Sequence, residues 1–142
     1  MGAYLATVLG IRAAHKVSLI NPPPGFMHKL NPLPDAVEFL VTAASGLDVI
    51  LFFTRDAHEL VARLPALSRA MALTGGLWVC FPLEAKRPLD EDFVRMTALE
   101  LGMVDNKRVA LDDAWTGLRL VWRDRKRPEK PEPRAQPPAA QA

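Results

Sequence analysis

The sequence predicts a single α/β domain, a three-layer arrangement in which a sheet of about six strands is covered by helices. Three short apolar segments carry this prediction: residues 16–21, 47–54 and 77–81. They are continuous rather than alternating in polarity, which is typical of parallel strands buried on both faces. A length of 142 residues with 49% hydrophobic and 24% charged residues fits one compact globular domain.

Three further strands complete the predicted sheet, at residues 36–41, 108–111 and 117–122. Only residues 112–116 separate the last two, which is too short for a helical crossover, so these two are expected to pair antiparallel. Pro82 is expected to stop the fourth strand because it cannot donate a hydrogen bond to a neighbour. The predicted strand order is 2-1-3-4-6-5, with the last strand antiparallel.

Helix signals follow the third and fourth strands. Asp56 with Glu59 three residues later is the pattern of a capping box, and the apolar residues after it share one helical stripe. Pro65 is expected to break this helix and to open a second short one. Gly75 and Gly76 are then expected to end it before the fourth strand. Asp90 is the expected cap of the next helix.

Charge is concentrated at the C-terminus. The formal net charge is +2, and residues 123–142 alone contribute +3, which leaves the body at −1. This segment also holds five prolines and no apolar periodicity. We therefore predict a domain over residues 1–122 and a disordered, Pro-rich basic tail over 123–142 that folding does not require. Such a tail gives weak, nonspecific attraction to nucleic acid or acidic proteins.

The N-terminal segment and the short apolar runs predict a cytoplasmic protein with no membrane partner. The N-terminus lacks the basic segment of a signal peptide, and the longest apolar run, residues 49–53, is far shorter than a membrane span. The single Cys80 excludes an internal disulfide or a Cys-rich zinc site, and its mid-strand position favours a buried structural thiol.

Candidate ligand-binding residues lie where the predicted strands end, since open α/β sheets bind ligands outside their carboxyl ends. Asn21, Gly25 and Phe26 follow the first strand, Arg55 the third and Lys86 the fourth. Asn21 would supply an amide, Phe26 an apolar wall, and the two cations would hold an anion. The alternative interpretation is a rigid turn beside a solvated edge.

The loop between the last two strands contains Asp112, Asp113 and Trp115. Paired carboxylates could perform acid–base chemistry or hold Mg²⁺. The favoured interpretation is an ordinary turn in which Asp113 bonds local N–H groups while Trp115 packs on the sheet edge.

Three segments carry a family resemblance: LGIRAAHKVSLINPPPGF at 9–26, LPALSRAMALTGGLWVCFP at 64–82 and ELGMVDNKRVALDDAWTGLRLV at 100–121. Through them, residues 10–122 resemble a small bacterial family catalogued as domain of unknown function 3052. The order of elements also resembles the C-terminal half of a class I S-adenosylmethionine-dependent methyltransferase. The resemblance implies a trimmed, Rossmann-like methyltransferase fold and no established activity.

Two features depart from such methyltransferases. The resemblance would imply a Gly-rich turn after the first strand, and here three prolines remove N–H donors and only Gly25 remains. It would also imply an acidic residue after the second strand, and residues 42–45 contain none. We therefore expect S-adenosylmethionine to bind poorly, and favour a non-enzymatic domain that binds a partner or small ligand. The alternatives are a divergent methyltransferase or other transferase, and an accessory that binds nucleic acid or acidic proteins through its tail.

Overall fold

Six strands form one mixed sheet in the computed structural model, which describes residues 4–40, 45–84 and 87–124. The strands are β1 Lys16–Ile20, β2 Glu38–Phe39, β3 Leu47–Phe53, β4 Met71–Pro82, β5 Met103–Ala110 and β6 Trp115–Trp122. The helices are α1 Leu5–Val8, α2 Phe26–Lys29, α3 Ala57–Ala70 and α4 Glu91–Glu100.

The strand order is β2-β1-β3-β4-β6-β5, as the sequence predicts. Strand β1 pairs parallel with both β2 and β3, and β3 pairs parallel with β4. Strand β6 is antiparallel to β4 on one side and to β5 on the other. Because the chain leaves β1 toward β2 on one side and reaches β3 on the other, the sheet has a switch point above the carboxyl end of β1.

Helices cover both faces of the sheet, which confirms the three-layer prediction. On one face, α3 and α4 contribute Leu60, Leu64 and Val94 to a core that includes Ile50 and Phe52. On the other face, α1 and α2 pack a second core against the sheet. The buried side chains of this second core include Leu9, Phe26, Leu30, Phe53, Trp78 and Cys80.

Helix α3 runs unbroken through Pro65, so the predicted break is wrong. Proline removes the hydrogen bond to the carbonyl four residues earlier, which belongs to Val61. Val61 is 50% exposed, so it lies on the solvent side of the helix. Leu60 and Leu64 before the proline and Leu67 after it are all buried, and this tertiary packing offsets the local cost. Val61 is thus an exception among the apolar residues that the sequence places on one helical stripe, since it is exposed.

Gly75 and Gly76 lie inside β4 and do not terminate a helix, which corrects that prediction. A Cβ on Gly75 would lie 2.8 Å from the carbonyl oxygen of Leu47, and a Cβ on Gly76 would lie 2.5 Å from Nε of Arg119. The pair therefore marks close approach within the sheet rather than a turn. Strand β4 consequently begins well before the predicted residue 77, and it includes Pro82.

Several predicted boundaries shift, and some predictions lie outside the described residues. Strand β2 is shorter than predicted, and β5 and β6 begin earlier. Backbone contact extends beyond the predicted domain end at residue 122, because the N–H of Arg123 donates to the carbonyl of Gly102 at 2.9 Å. The prediction for the tail falls almost wholly on residues 125–142, outside the described residues.

Candidate functional site

A cavity of about 360 Å³ opens at the carboxyl ends of β1 and β3, and we call it the carboxyl-edge cavity. Because β6 is antiparallel, its first residue, Trp115, reaches the same edge. The cavity thus lies at the switch point at which open α/β sheets bind ligands. Its lining residues are Asn21, Pro23, Pro24, Phe53, Thr54, Arg55, Asp56, Glu59 and Trp115.

The turn after β1 supplies one wall of the cavity. Asn21 takes a left-handed conformation at φ 57°, which asparagine tolerates better than most residues, and this turns the chain away from β1. Gly25, also left-handed at φ 79°, is the N-cap of α2. Pro23 and Pro24 line the cavity between them. This wall is therefore apolar and, at both prolines, offers no backbone N–H to a ligand.

The carboxylate of Glu59 is held in the cavity by two side chains. The hydroxyl of Thr54 donates to Oε1 at 2.7 Å, and the amide of Asn21 donates to Oε2 at 2.9 Å. Arg63 is a more distant ion partner, 3.9 Å from Oε2. The N–H of Asp56 donates to the Thr54 hydroxyl, so Glu59 does not complete the predicted capping box. Glu59 is thereby fixed as an acceptor on the cavity wall.

Aromatic rings form the floor of the cavity. Phe53 contacts Phe26 edge to face with ring centroids 4.8 Å apart, and Trp115 with centroids 5.2 Å apart. The guanidinium carbon of Arg55 lies 4.7 Å from the centre of the Trp115 ring, a cation–π contact. Trp115 therefore places the cation of Arg55 at the rim while its ring closes the floor.

The loop between β5 and β6 is fastened to α2 beside the aromatic floor. Asp112 accepts from the N–H groups of Ala114 and Trp115 at 2.7 and 2.9 Å, and Lys29 donates to its other oxygen at 2.9 Å. Asp112, not the predicted Asp113, is thus the carboxylate that forms this turn. Partial burial raises the pKa of Asp112, but the hydrogen bonds from Lys29 and the two backbone groups outweigh it and leave the pKa below its ordinary value.

Asp112→Asn is expected to reduce acid sensitivity. A lowered pKa means that the charged form stabilises the fold above the ordinary pKa of an aspartate, and that this stabilisation is lost as pH falls through the lower folded-state pKa. Asparagine keeps the turn but loses the ion pair, so it should cost about 0.5–1 kcal/mol at pH 7. Urea unfolding at pH 7 and pH 3 measures this. A difference between the two proteins that does not shrink at pH 3 would contradict it.

The structure brings together only part of the predicted site. Asn21, Arg55 and Trp115 line the cavity. Phe26 does not line the cavity, because its ring packs behind Phe53 in the core, so Phe53 takes the place of the predicted apolar wall. Asp113 is exposed on its loop, and Lys86 lies outside the described residues. Asp112 already forms an ion pair with Lys29, so the contacts favour an ordinary turn in this loop over Mg²⁺ binding.

Thr54 and Glu59 are the main residues that the sequence analysis missed as site residues. A hydrophilic residue directly after β3 was a usable signal for Thr54. The sequence predicts that Glu59 takes part in helix capping. In the structure, the left-handed turn at Asn21 instead brings the Asn21 amide to the Glu59 carboxylate. Among described residues no cluster of three or more His, Cys, Asp or Glu could hold a metal ion. Cys80 is fully buried, and burial raises the pKa of its thiol well above the ordinary value.

Several solved structures similar to this chain are methyltransferases, and the chain has the fold of class I methyltransferases. Mitomycin 7-O-methyltransferase MmcR matches with a TM-score of 0.62 at 13% identity. The match covers 78% of this chain and 49% of that enzyme, so this chain spans about half of the enzyme's length. An S-adenosylmethionine-dependent methyltransferase from Aquifex aeolicus gives 0.56 at 14% identity, covering 82% of this chain and 86% of that one. Magnesium protoporphyrin IX methyltransferase from Synechocystis PCC 6803, solved with S-adenosylmethionine bound, gives 0.56 at 9% identity, covering 84% and 75%.

At the level of sequence the comparisons are negative: no protein-family model and no curated protein matches this chain. The identities to the solved methyltransferases are low, so these structures define the fold alone. In the part of the chain that the structure describes, no helix has the length and apolar character of a membrane span.

Proposed function

We propose that this chain is a methyltransferase-like domain that binds a small ligand in its carboxyl-edge cavity and transfers no methyl group. The observation that carries the proposal is the fixed pair of opposite charges on one cavity wall. Glu59 is held by Thr54 and Asn21, while Arg55 rests on Trp115. Groups ordered before a ligand arrives lose little entropy when they bind it, which is the usual property of a binding site.

The lining indicates the chemistry of the ligand. Pro23, Pro24, Phe53 and Trp115 form an apolar surface suited to a hydrocarbon or flat ring. Glu59 accepts hydrogen bonds, whereas the exposed guanidinium of Arg55 donates them. The ligand is therefore a molecule with an apolar body, a donor group directed to Glu59 and an anionic or carbonyl group directed to Arg55.

Binding is favoured over acid–base catalysis by the partners of the two cavity carboxylates. Asp56 caps α3, accepting from the N–H of His58 at 2.8 Å. Glu59 accepts from Thr54 and Asn21. Both carboxylates therefore already accept hydrogen bonds from donors within the protein. These two carboxylates serve the helix and the ligand pocket rather than proton transfer.

A divergent methyltransferase is the second candidate, favoured by the position of the cavity at the carboxyl end of β1 in a fold shared with methyltransferases. Against it, Pro23 and Pro24 offer no N–H groups, and the one carboxylate of β2, Glu38, lies at its amino end beside Lys16. We also propose that the chain belongs to the family catalogued as domain of unknown function 3052 and that the protein is cytoplasmic. Tail-mediated binding to nucleic acid or acidic proteins concerns residues outside the described ones.

A thermal-shift screen tests the proposal on the full chain, using nucleotides, acyl-CoAs, S-adenosylmethionine and S-adenosylhomocysteine. A ligand at 100 times its Kd should stabilise the fold by about 2.7 kcal/mol, a shift of several degrees. Arg55→Ala and Glu59→Gln should each weaken binding roughly ten- to hundredfold, because each removes a charge-assisted hydrogen bond.

Matched controls are Arg69→Ala and Glu100→Gln, which remove the same charges from exposed helix positions away from the cavity. Both should leave the ligand-induced shift unchanged. If every stabilising compound keeps its full effect in Arg55→Ala and Glu59→Gln, the carboxyl-edge cavity is not the binding site. If methyl transfer from S-adenosylmethionine to a hit compound is detected, the second candidate replaces the first.

A further inference from the structure

An open, largely apolar groove lies between α3 and α4, and we call it the helix groove. It consists of two adjoining cavities of about 360 and 580 Å³, which share Pro88 and Phe93 in their linings. The N-terminal half of α3 lines the first cavity, and Met96 of α4 lines the second. Met96 is 64% exposed, and Phe93 is half-buried. Within the described residues the fold therefore leaves an apolar surface open between these two helices.

An exposed strip along α4 connects the helix groove with the C-terminal end of that helix. Leu99 follows Met96 by three residues, so the two side chains lie on the same side of the helix. Leu99 is 43% exposed. A segment that starts at the end of α4 would therefore follow apolar side chains to the groove.

The chain leaves the described residues at this end of α4. Trp122, the last residue of β6, packs against the same core as α3 and α4. The N–H of the next residue, Arg123, donates to the carbonyl of Gly102, just beyond the end of α4. Residues 125–142 therefore begin beside the exposed strip.

This C-terminal segment is long enough to reach the groove. Gly102 and Phe93 are nine residues apart in the sequence, which corresponds to roughly 14 Å along an α-helix. A proline-rich chain in the polyproline II conformation rises about 3.1 Å per residue, so roughly five residues cover this distance. Pro128 and Pro131 lie four and seven residues after Asp124, which would bring them to the groove.

The charges of residues 125–142 complement those of α4. The segment contains five Lys or Arg and two Glu, a net charge of +3. Residues 90–100, which form α4 and its cap, contain four carboxylates and only Arg95, a net charge of −3. Glu91 and Asp92 are already ion-paired with Arg95, so the attraction comes from the net charge of the helix rather than from a new pair with either.

The C-terminal end of α4 favours a cation. Its last turn contains no basic residue, so no side chain of that turn balances the partial negative charge of the terminal carbonyl groups. The basic run of residues 125–127 comes directly after the point at which the chain leaves this end. The charge order of the segment therefore matches the direction of the helix.

The spacing of the prolines suits an apolar groove. Pro128 and Pro131 are three residues apart, and a polyproline II helix has three residues per turn, so both rings would lie on one edge. Grooves with aromatic walls bind segments of this spacing, because an extended proline-rich chain loses little entropy when it is held. Phe93 and Pro88 provide such a surface.

We propose that residues 125–142 of this chain dock in its own helix groove. Pro128 and Pro131 contact Phe93 and Met96, and the basic residues 125–127 lie at the C-terminal end of α4. Docking covers a surface of a domain that is already folded, which agrees with the prediction that folding does not require the tail. No residue of the groove lining also lines the carboxyl-edge cavity, and neither proposal depends on the other.

A spin label on the C-terminal segment of the full chain tests the contact. Ala135→Cys provides the attachment site, because Cys80 is fully buried and inaccessible to the labelling reagent. In ¹⁵N spectra, the amides of α4 should lose most of their intensity while the nitroxide is active and regain it when the nitroxide is reduced. The amides of α2, on the other face of the sheet, should keep theirs. Undiminished intensity along α4, or equal loss on both faces, would overturn the proposal.

A mixing experiment distinguishes docking within one chain from docking on a second copy. Spin-labelled chain without ¹⁵N is mixed with ¹⁵N-labelled chain that carries no nitroxide. The amides of α4 should then keep their intensity. Loss of intensity in this mixture would show that the segment binds another copy, and would overturn docking within one chain.

Variants of the groove and of the segment test the two parts of the contact. Met96→Ser removes an exposed apolar side chain and should roughly halve the intensity loss on α4. Met27→Ser is the matched control, since Met27 is 46% exposed on α2, and should leave the loss unchanged. In 1 M sodium chloride the screening length falls to about 3 Å, so the loss should also decrease. Equal losses in Met96→Ser and Met27→Ser, or a loss unaffected by salt, would overturn the assignment.

Discussion

Replacing Phe53 by alanine is expected to lower the free energy of unfolding by about 3–5 kcal/mol, the usual cost of removing a buried ring. Phe53 is 1% exposed, and its ring contacts both Phe26 and Trp115 edge to face. The substitution removes the apolar burial and both aromatic contacts, and it leaves a hole beneath the carboxyl-edge cavity. Urea unfolding followed by circular dichroism measures the change.

Val61→Ala is the control for this prediction, because Val61 is 50% exposed on α3. It should change stability by less than about 0.5 kcal/mol. A loss of less than about 1 kcal/mol for Phe53→Ala would show that the aromatic floor is loosely packed and does not support the cavity. The ligand-binding role of Trp115 would then lose its structural basis, since Trp115 packs on the same ring.

Thr54→Val has the second largest expected effect, about 1–3 kcal/mol of destabilisation. Thr54 is 3% exposed, and its hydroxyl donates to Glu59 while accepting the N–H of Asp56 at 3.1 Å. Valine has the same shape but leaves both of those groups without this partner. The same substitution frees the Glu59 carboxylate, so it should also weaken binding of any ligand found by the screen.

Thr54→Ser separates the hydroxyl from the methyl group. Serine keeps both hydrogen bonds, so it should retain ligand binding and lose only about 1 kcal/mol for the buried methyl. Urea unfolding and the thermal shift of a hit compound report the two effects independently. Equal ligand affinity in Thr54→Val and the unaltered protein would remove the positioning role that we assign to Thr54.

The topology was predictable because it follows from local signals that tertiary contacts do not override. The apolar runs at β1, β3 and β4 specify buried parallel strands, and the short link between β5 and β6 requires an antiparallel pair. Strand β2 has only two residues, and its sequence pattern is weak. The predicted strand order is nevertheless correct, because the position of β2 beside β1 does not depend on its length.

The errors share a different cause, since each concerns a residue whose role is set by a contact far away in sequence. Gly76 has the sequence pattern of a helix terminator, but in the fold the side chain of Arg119 lies against it. Pro65 has the pattern of a helix break, but the buried leucines around it stabilise an unbroken helix. Glu59 fits a capping box until Asn21 and Thr54 compete for its carboxylate. Periodicity and capping patterns cannot report contacts between distant segments.

Isothermal titration of the full chain with S-adenosylmethionine tests most directly whether the methyltransferase-like fold serves binding of another ligand or methyl transfer. The turn after β1 lines the cavity with Pro23 and Pro24, which donate no hydrogen bonds, and the carboxylate of β2 lies at the opposite edge of the sheet. We therefore expect a dissociation constant weaker than about 1 mM, so that less than about 4 kcal/mol of binding free energy is found. A micromolar dissociation constant that Glu59→Gln or Arg55→Ala weakens would contradict this and establish the cavity as a cofactor site of a divergent methyltransferase.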